Sequence, residues 1–315
     1  MKSLRAHLTE YIATRRALGT QLQEPANTLR GFIRFLRRRR AKFITIPLAL
    51  EWSRQSKNVQ HATWARKLSM VRQFARWLSV LEPRHQVPPP RLLNVRHRRN
   101  QPHIYSDAEI VQLMEAAAAL QSSRRLKALT LKTLIGLLAA TGLRPGEAAA
   151  LEDRDVDLRA GVLVIRESKF GKSRQVPIHE TTVVALENYA RRRNHVILQR
   201  SSSSFFVSDT GTPLDRGTVR RWFCKVSIAC GLRKTLGGKR YGRGPRLQDL
   251  RHTFATRRLV EWYRAGLNVS VQMPKLAAYL GHASVSCTYW YIEAVPELLQ
   301  LATECERTIR QGGRR

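Results

Sequence analysis

Apolar residues recur at helical spacing near the amino end of the chain. They stand at Leu4, Leu8, Tyr11, Ile12, Leu29, Phe32, Ile33, Leu36, Trp64, Leu68, Val71, Ala75 and Leu78. Steps of three and four residues place such positions on one face of a helix, which predicts amphipathic helices. A further short helix through Trp52 fits after Pro47. The chain therefore begins with a small helical bundle, and its aromatic residues are predicted to lie in the core.

The second part of the chain mixes helical and strand patterns. Residues 106–109, Ser-Asp-Ala-Glu, are a capping-box signature ahead of an amphipathic helix. The almost fully apolar segment 126–140 predicts a buried helix that ends at Gly142. Segments 161–166 and 174–178 are typical of two strands joined by a hairpin. The expected fold is mainly α with a small antiparallel β-sheet, an α+β class.

Further elements are predicted towards the carboxy end. A helix through Tyr189, a short strand at 205–207 and a helix around Trp222 follow the hairpin. Residues 231–245 are rich in glycine and cationic side chains, so this stretch is expected to be a loop. Another helix ends near Gly266.

A segment without apolar periodicity separates the two parts. Residues 83–104 are rich in proline and arginine, which predicts a stiff cationic linker. The expected division is a helical domain at 1–82, this linker, and a second domain at 105–315 that ends in a helix opened by Pro296.

The charge of the chain points to a polyanionic partner. Lysine and arginine number 56 against 23 aspartate and glutamate residues, which gives a formal net charge of +33. Solubility alone does not require this excess, and it runs through the whole chain rather than a tail. Double-stranded DNA is the expected partner, in preference to a membrane surface. The linker would then let the two domains form a clamp round DNA, unless it is an inert spacer.

Cationic side chains off the apolar stripes, in the linker and in loops are candidate phosphate contacts, although any one of them could instead face solvent. They are Arg66, Arg72, Arg96, Arg98, Arg99, Lys172, Arg220, Arg221 and Arg243. Arg220 and Arg221 belong to a helix that could lie in a major groove or pack in the core with solvated charges. Arg243 belongs to the glycine-rich stretch, which could cradle a DNA backbone or be merely mobile.

Several classes of protein are not expected. The longest apolar run, 134–143, is shorter than the roughly 20 residues of a membrane helix. The amino end lacks a secretory apolar core. The four cysteines have no metal-ligand spacing, so reduced thiols without zinc or a disulfide framework are expected.

Candidate chemistry lies in the stretch 280–291, Leu-Gly-His-Ala-Ser-Val-Ser-Cys-Thr-Tyr-Trp-Tyr. His282 stands at a Gly-His step, and Tyr291 follows nine positions later. In so basic a chain, a phenolic oxygen near cations suggests covalent attack on a phosphodiester. Arg144 stands at a turn between two helices, where its guanidinium could clamp a phosphate. Glu147 is predicted to brace that turn.

Four ordered segments resemble the motifs of the tyrosine recombinases. They are Ala-Thr-Gly-Leu-Arg-Pro-Gly-Glu at 140–147, the Lys169 hairpin ending in Val-Pro-Ile, Leu-Arg-His-Thr-Phe-Ala at 250–255, and Leu-Gly-His at 280–282 with Tyr291. The family includes phage integrases, Xer recombinases and transposon-encoded recombinases. The resemblance covers the part from about residue 105 to 300. For the first hundred residues the resemblance is one of architecture and not of sequence motifs, because the family's core-binding domain is also a helical bundle. The ending after Tyr291 is most similar to the mobile-element branch.

The resemblance implies a role for each matching residue. Tyr291 would be the nucleophile and form a 3′-phosphotyrosyl bond, leaving a free 5′-hydroxyl. Arg144 and Arg251 would hold the non-bridging phosphate oxygens. Lys169 would protonate the leaving oxygen, and His282 would donate a hydrogen bond to the phosphate or steady the transition state. No ATP, metal or other cofactor is expected, because the phosphotyrosyl bond keeps the bond energy.

One residue departs from the family pattern. The family's His-x-x-Arg motif has Gln248 at its first position here. A glutamine amide can bond a phosphate oxygen but cannot exchange a proton near neutral pH. His252 is expected to face the core rather than replace it. Lys172 is the alternative to Lys169, because the hairpin length blurs the register. Tyr289 is the alternative nucleophile, although it falls two residues short of the family's spacing and is expected to pack instead.

The resemblance also implies an assembly and a location. The expected state is a homo-tetramer on two DNA duplexes, alone or mixed with related recombinases, that works through a Holliday junction in integration, excision or transposition. The terminal helix would dock on a neighbouring protomer or pack on its own domain. The expected location is the bacterial cytoplasm, in association with the nucleoid. Two alternatives remain: a non-catalytic DNA-binding accessory homologue, which Gln248 favours, and a type IB topoisomerase-like nicking-closing activity.

Overall fold

The computed structural model describes residues 3–294, apart from residues 21, 57–58, 95–100, 122–125, 167–172, 201 and 237–238, together with residues 298 and 300. The chain divides into two units, Met1–Asn100 and Gln101–Arg315. The helices are α1 (Leu4–Ala17), α2 (Gln23–Arg38), α3 (Ile46–Arg54), α4 (His61–Leu81), α5 (Asp107–Ala118), α6 (Leu126–Thr141), α7 (Pro145–Ala149), α8 (Glu180–Val196), α9 (Arg216–Ala229), α10 (Asp249–Arg264), α11 (Val269–Leu280) and α12 (Ser286–Ala294). The strands are β1 (Val156–Asp157), β2 (Val162–Ile165), β3 (Arg174–Pro177), β4 (Lys234–Leu236) and β5 (Lys239–Arg243).

The first unit is the helical bundle that the apolar spacing predicts. The Ser3 hydroxyl caps α1, and α3 has Thr45 as its N-cap and Pro47 in its first turn. Apolar side chains from all four helices form the core: Leu8, Phe32, Leu36, Trp52, Leu68, Phe74 and Leu78. The rings of Phe32 and Trp52 pack with their centroids 5.1 Å apart. The prediction of a bundle with an aromatic core is confirmed.

The first part of the predicted linker packs on this bundle. His85 is buried, and its Nδ1 accepts a hydrogen bond from the Ile44 backbone N–H at 3.0 Å. The Arg72 guanidinium donates to the carbonyl oxygens of Pro88 and Pro89 at 2.8 and 2.9 Å. This proline-rich stretch is therefore fixed to the first unit and is not a free spacer.

Helix α6 is the centre of the second unit. Its buried residues lie on all sides of the helix, and α5, α8 and α10 pack against it. Ser106 and Glu109 form the predicted capping box at the start of α5. Gly142 follows the last turn of α6 with a φ of 62°. The predicted buried helix, its end and the capping box are all confirmed.

A small antiparallel sheet lies beside the helices of the second unit. Its strand order is β1-β2-β3. Val162 pairs with Pro177, and Ile165 pairs with Arg174, so the two predicted strands form a hairpin. The tip of this hairpin, residues 167–172, lies outside the described residues. The predicted α+β class with a small antiparallel sheet is confirmed.

Two predictions for the segments after α8 are wrong. The stretch expected to be a glycine-rich loop contains β4 and β5, an antiparallel pair in which Lys234 lies opposite Arg243. The two strands pair through their backbones, but their sequences do not alternate apolar and polar residues. The hairpin therefore cannot be recognised from the side-chain pattern. The strand expected at 205–207 is reduced to isolated bridges, which are Glu152 with Ser204 and Val207 with Pro213.

The described part of the chain contains no helix that is both long and apolar enough to cross a bilayer. Cys224, Cys230 and Cys287 carry free thiols. Among the described residues, no group of three or more histidine, cysteine, aspartate or glutamate side chains is placed to hold a metal ion. Pro296, Cys305 and the predicted terminal helix beyond residue 300 lie outside the described residues.

Candidate active site

The turn between α6 and α7 holds Arg144. Pro145 starts α7, so the preceding residue keeps an extended backbone and serves as the N-cap. Glu147 accepts from the Arg144 backbone N–H at 3.1 Å and from Nη1 at 2.6 Å. Nη2 of Arg144 donates to the Gly281 carbonyl oxygen at 3.0 Å. The guanidinium is therefore fixed between this turn and the end of α11.

Arg251 joins the same two turns from α10. It is 2% exposed, and it donates from Nη1 to the Gly142 carbonyl oxygen at 2.9 Å and from Nη2 to the Leu280 carbonyl oxygen at 2.7 Å. Burial lowers the pKa of Arg251 to about 10, and the nearby Arg144 adds to that effect. The guanidinium stays charged at neutral pH, and both of its backbone partners are neutral.

Both turns require glycine. Gly142 and Gly281 have φ values of 62° and 67°, in the region that favours residues without a Cβ. A Cβ on Gly142 would lie 2.5 Å from Cδ1 of Phe254, and one on Gly281 would lie 2.7 Å from Nη1 of Arg174. Phe254 and Arg174 can therefore approach these two turns closely only because each turn has a glycine.

Tyr291 reaches this place from α12. It is 2% exposed, and its ring centroid lies 5.5 Å from that of His252 and 6.1 Å from that of His282. Burial raises the pKa of the phenol, and this outweighs the lowering effects of Arg251 and Arg144. The nucleophile candidate is therefore protonated at neutral pH in this state, with two guanidiniums close enough to stabilise its anion.

His282 follows the left-handed residue at the end of α11. Its Nδ1 lies 2.7 Å from Oγ1 of Thr288. Burial lowers the pKa of the imidazole to about 4, and Arg251 and Arg144 lower it further by repulsion of the protonated form. The ring is therefore neutral at physiological pH and carries one N–H.

Arg174 is a site residue that the sequence did not single out. Its Nη2 donates to Oε2 of Glu147 at 2.8 Å, and its Nε donates to the Tyr279 carbonyl oxygen at 2.8 Å. Burial opposes ionisation of Glu147, but the bonds from Arg174 and Arg144 outweigh it and lower the pKa of the carboxyl. The only sequence feature that could have drawn attention to Arg174 is its position at the start of the second hairpin strand, directly before Gln-Val-Pro-Ile.

The remaining predicted catalytic residues divide into two groups. Gln248 is the half-buried N-cap of α10, and its side-chain amide has no hydrogen-bond partner among the described residues. Lys169 and its alternative, Lys172, lie outside the described residues. The sequence-based assignment of the proton donor therefore stays a prediction.

His252 faces the core as the sequence led us to expect, whereas the expectation that Tyr289 packs is wrong, because its side chain is exposed. The His252 ring packs against Trp290 at 5.4 Å, and its buried Nδ1 has no hydrogen-bond partner in the described part of the chain. Burial lowers the pKa of His252 to about 4. Tyr289 is 42% exposed, whereas Tyr291 is buried among the arginines. The second tyrosine is thus the one that shares the pocket.

The charges of the described pocket are unequal. Three guanidiniums, those of Arg144, Arg174 and Arg251, surround one carboxylate, that of Glu147, while the phenol and imidazole are neutral. Fixed cations in a buried place stabilise an anion strongly, because solvent screening is weak there. A phosphodiester, whose charge grows during substitution at phosphorus, suits this excess.

The sequence from residue 105 to 297 matches the phage integrase family model. The chain belongs to the phage integrase family. A Sinorhizobium fredii protein provisionally named integrase/recombinase y4rB is 42% identical over 306 residues, which are 96% of this chain and 96% of that protein. Tyrosine recombinase XerD of Vibrio cholerae is 29% identical over 244 residues, 77% of this chain and 74% of that protein. This phage integrase family member is thus a tyrosine-type site-specific DNA recombinase.

Solved structures have the same fold. The Tn1549 transposon integrase in complex with transposon right end DNA has a TM-score of 0.65 at 16% identity, over 92% of this chain and 94% of that one. A lambda integrase tetramer bound to a Holliday junction has a TM-score of 0.62 at 17% identity, over 92% of this chain and 77% of that one. The likeness covers 92% of this chain in both comparisons, so it extends over the helical bundle as well as the second unit.

The predicted DNA contacts of this integrase family member have varied surroundings. Arg66 pairs with Glu24 at 2.7 Å on the surface of the bundle, and Arg72 holds the proline stretch described above. Arg220 and Arg221 are exposed on α9, whose apolar face packs into the core. Arg243 lies on β5 rather than in a loop. Arg96, Arg98 and Arg99 lie outside the described residues, as does Lys172.

Proposed function

We propose that this recombinase cleaves and rejoins DNA at specific sites through a covalent 3′-phosphotyrosyl bond to Tyr291. The observation that carries the proposal is the burial of the Tyr291 phenol beside Arg251 and the Arg144 turn, all within one chain. A buried tyrosine among fixed guanidiniums is poorly suited to simple packing, because the Glu147 carboxylate balances only one of the three cations and the excess charge is costly to bury without a further anion. A phosphodiester supplies that anion.

The reaction assigned to this pocket balances its bonds and protons. The Tyr291 oxygen forms a bond to phosphorus and loses its proton, while the bond from phosphorus to the 5′ oxygen breaks and that oxygen gains a proton. Arg144 and Arg251 each keep N–H groups beyond those that bind carbonyl oxygens, and these would bond the non-bridging oxygens. The new phosphodiester keeps the energy of the old one, so the reverse attack by a 5′-hydroxyl rejoins the strand.

The proton transfers need an acceptor for the Tyr291 proton and a donor to the leaving 5′ oxygen. The raised pKa of Tyr291 means that its proton needs an acceptor. Gln248 cannot be that acceptor, since an amide does not exchange a proton near neutral pH, so a solvent molecule or a phosphate oxygen takes this role in the proposal. Lys169 remains the proposed donor to the leaving 5′ oxygen, with Lys172 as the alternative.

The proposed biological role is the movement of a mobile element through a Holliday junction. It draws support from the transposon integrase and the lambda integrase tetramer, whose complexes hold transposon end DNA and a Holliday junction. We propose a homo-tetramer on two DNA duplexes, alone or mixed with related recombinases. The net charge of +33 supports a large DNA-contacting surface.

The test traps the covalent intermediate. A nicked duplex made from the DNA that flanks the gene loses its short downstream strand after cleavage, so the protein stays attached. We expect an adduct with the wild-type protein and with Tyr289→Phe, and no adduct with Tyr291→Phe. An equal adduct from Tyr291→Phe would refute the proposed nucleophile.

The presence of Gln248 at the position of the family's histidine favours a second candidate function, a non-catalytic DNA-binding homologue. Salt-dependent binding of the duplex without any adduct would select this function. Relaxation of supercoiled DNA with an adduct but without junctions would instead select a nicking-closing activity of the topoisomerase type.

A further inference from the structure

A buried hydroxyl contacts the imidazole of the site. Thr288 lies on α12, three residues before Tyr291, and is fully buried. Its Oγ1 is 2.7 Å from Nδ1 of His282, and its backbone N–H donates to the Val285 carbonyl oxygen at 2.8 Å. The other ring nitrogen of His282, Nε2, has no hydrogen-bond partner among the described residues. One nitrogen is thus held by the protein and the other is available to a ligand.

We propose that Thr288 is a positioning residue that donates its hydroxyl proton to Nδ1 of His282 and so keeps the ring N–H on Nε2, where it can bind a phosphate oxygen. This inference rests on the proposed function, because it assigns the proton that His282 would present to the scissile phosphate. Thr288 itself does not touch the DNA in this account.

The argument follows from the donors and acceptors of a neutral imidazole. Such a ring has one N–H and one lone pair, and its two nitrogens exchange these roles between tautomers. Phosphate oxygens only accept, so the nitrogen that binds them must carry the hydrogen. The group at the opposite nitrogen must then be a donor. A hydroxyl can donate, whereas a carbonyl or carboxylate oxygen at Nδ1 would select the wrong tautomer.

The surroundings of His282 make the choice of tautomer necessary. Burial and the neighbouring guanidiniums of Arg251, Arg144 and Arg174 disfavour the imidazolium, which would have carried a hydrogen on both nitrogens. A neutral ring can be a donor to phosphate in one tautomer only. The position of one hydroxyl hydrogen therefore decides whether His282 attracts or repels the substrate oxygen.

The placement of Thr288 also links the two halves of the site. Thr288 and Tyr291 belong to the same short helix, whereas His282 precedes it in the turn after α11. Docking of α12 therefore delivers the phenol and orders the imidazole together. A site with its nucleophile helix displaced would lose both at once.

The test compares two substitutions of similar size. Thr288→Val keeps the shape and removes the hydroxyl, and Thr288→Ser keeps the hydroxyl. With the nicked suicide duplex at saturating concentration, we expect the single-turnover rate of adduct formation to fall about tenfold in Thr288→Val, the scale of one net hydrogen bond. We expect Thr288→Ser to stay within about twofold of the wild type. Duplex affinity should change little in either variant, because His282 would bond one phosphate among the many that the duplex presents.

A spectroscopic measurement makes the proposal independent of folding and of turnover. Nitrogen-15 spectra of ring-labelled histidine distinguish the two tautomers, and the His282→Gln variant identifies the His282 signals among the nine histidines of the chain. We expect the Nε2–H form in the wild type and in Thr288→Ser, and a mixed or Nδ1–H form in Thr288→Val.

Two results would overturn the inference while the proposed function stands. One is a wild-type His282 ring in the Nδ1–H form. The other is an equal adduct rate in Thr288→Val and Thr288→Ser while His282→Gln is strongly impaired. A different result, full adduct formation by His282→Gln, would instead remove the role of His282 from the proposed function.

Discussion

At the scale of single residues, burial sets the protonation state of the site. It raises the pKa of the Tyr291 phenol and lowers those of the His282 and His252 imidazoles to about 4. At neutral pH all three rings are therefore uncharged, and the guanidiniums provide the positive charge. Such a site attracts an anion before any proton moves, so phosphate binding precedes activation of the nucleophile in this account.

The pH dependence of stability reports on the buried imidazoles. An unfolded histidine has a pKa near 6.5, and that of His252 in the fold is about 4. The unfolded state thus binds the proton more tightly, so the stability contributed by the neutral ring is fully present above about pH 6.5 and is lost as the pH falls towards 4. We expect His252→Phe, which removes this proton uptake, to lose less unfolding free energy than the wild type between pH 7 and pH 5.

Urea denaturation at the two pH values measures this difference, and His195→Phe is a matched control. His195 is exposed in the last turn of α8, so its replacement removes no buried neutral ring. The control should follow the wild type. If His252→Phe and the wild type lose equal free energy of unfolding between pH 7 and pH 5, the buried ring does not cause the loss of stability in acid.

The proximity of residues at the candidate site was predictable where motif spacing is distinctive. Arg144, Arg251 and Tyr291 stand in ordered motifs, and the structure places the three in one pocket. Arg174 was missed because one arginine among 56 cationic residues carries no signal without its partner Glu147. Which arginines meet a carboxylate depends on the approach of β3 to the α6–α7 turn, a tertiary contact.

At the scale of elements, the residues that hold the site together lie mainly at the ends of helices rather than along helix faces. The ends of α6 and α11 supply the carbonyl oxygens that hold Arg251 and Arg144. Strand β3 adds Arg174, which binds Glu147 in α7 and the Tyr279 carbonyl oxygen in α11. These bonds join five elements, α6, α7, α10, α11 and β3, at one point, so a small displacement of any of them moves a guanidinium.

Removal of the Arg174 side chain tests this connection. Its pair with Glu147 is almost fully buried, with side-chain exposures of 10% and 9%. We expect Arg174→Met to lower the free energy of unfolding by about 3 kcal/mol, because a buried carboxylate loses one of its two cations. The adduct rate should fall as well, since Glu147 also holds Arg144. Urea denaturation and the suicide-substrate assay measure the two effects.

Arg258→Met provides the control for this experiment. Arg258 lies on α10 and pairs with Glu261 at 2.8 Å, but the two side chains are 45% and 56% exposed. A half-exposed pair contributes little, so the loss should be below about 1 kcal/mol. Equal losses in the two variants would contradict the claim that β3 is fastened through the site.

The helices were predictable and the irregular contacts were not. Periodic apolar positions predict α1, α2 and α4, and a glycine stop predicts the end of α6, since burial of one face or of a whole helix leaves a direct mark on the sequence. The β4–β5 hairpin leaves no such mark, because its cationic residues do not alternate with apolar ones. The proline stretch held by Arg72 was likewise interpreted from composition alone, which cannot show a side chain bound to distant carbonyl oxygens.

At the scale of the whole molecule, each unit of the basic chain has its own buried apolar residues. The first unit has one cluster around Phe32 and Phe74, and the second has two, one around α6 and one formed by α10, α11 and Tyr291. The linker predicted at residues 83–104 stays a prediction; the chain divides after Asn100, and the first part of that segment packs on the bundle. The proposed assembly on DNA would use both units, and the charge of +33 supplies the long-range attraction.

The central claim is that Tyr291, and no other tyrosine, attacks the phosphodiester. The most direct measurement is mass spectrometry of the trapped adduct after trypsin digestion, since residues 276–307 form one tryptic peptide that contains Tyr279, Tyr289 and Tyr291. The account predicts a nucleotide joined to Tyr291 through its 3′ phosphate, with a free 5′-hydroxyl on the released strand. Attachment to Tyr289 or to any other residue, or linkage through a 5′ phosphate, would contradict it.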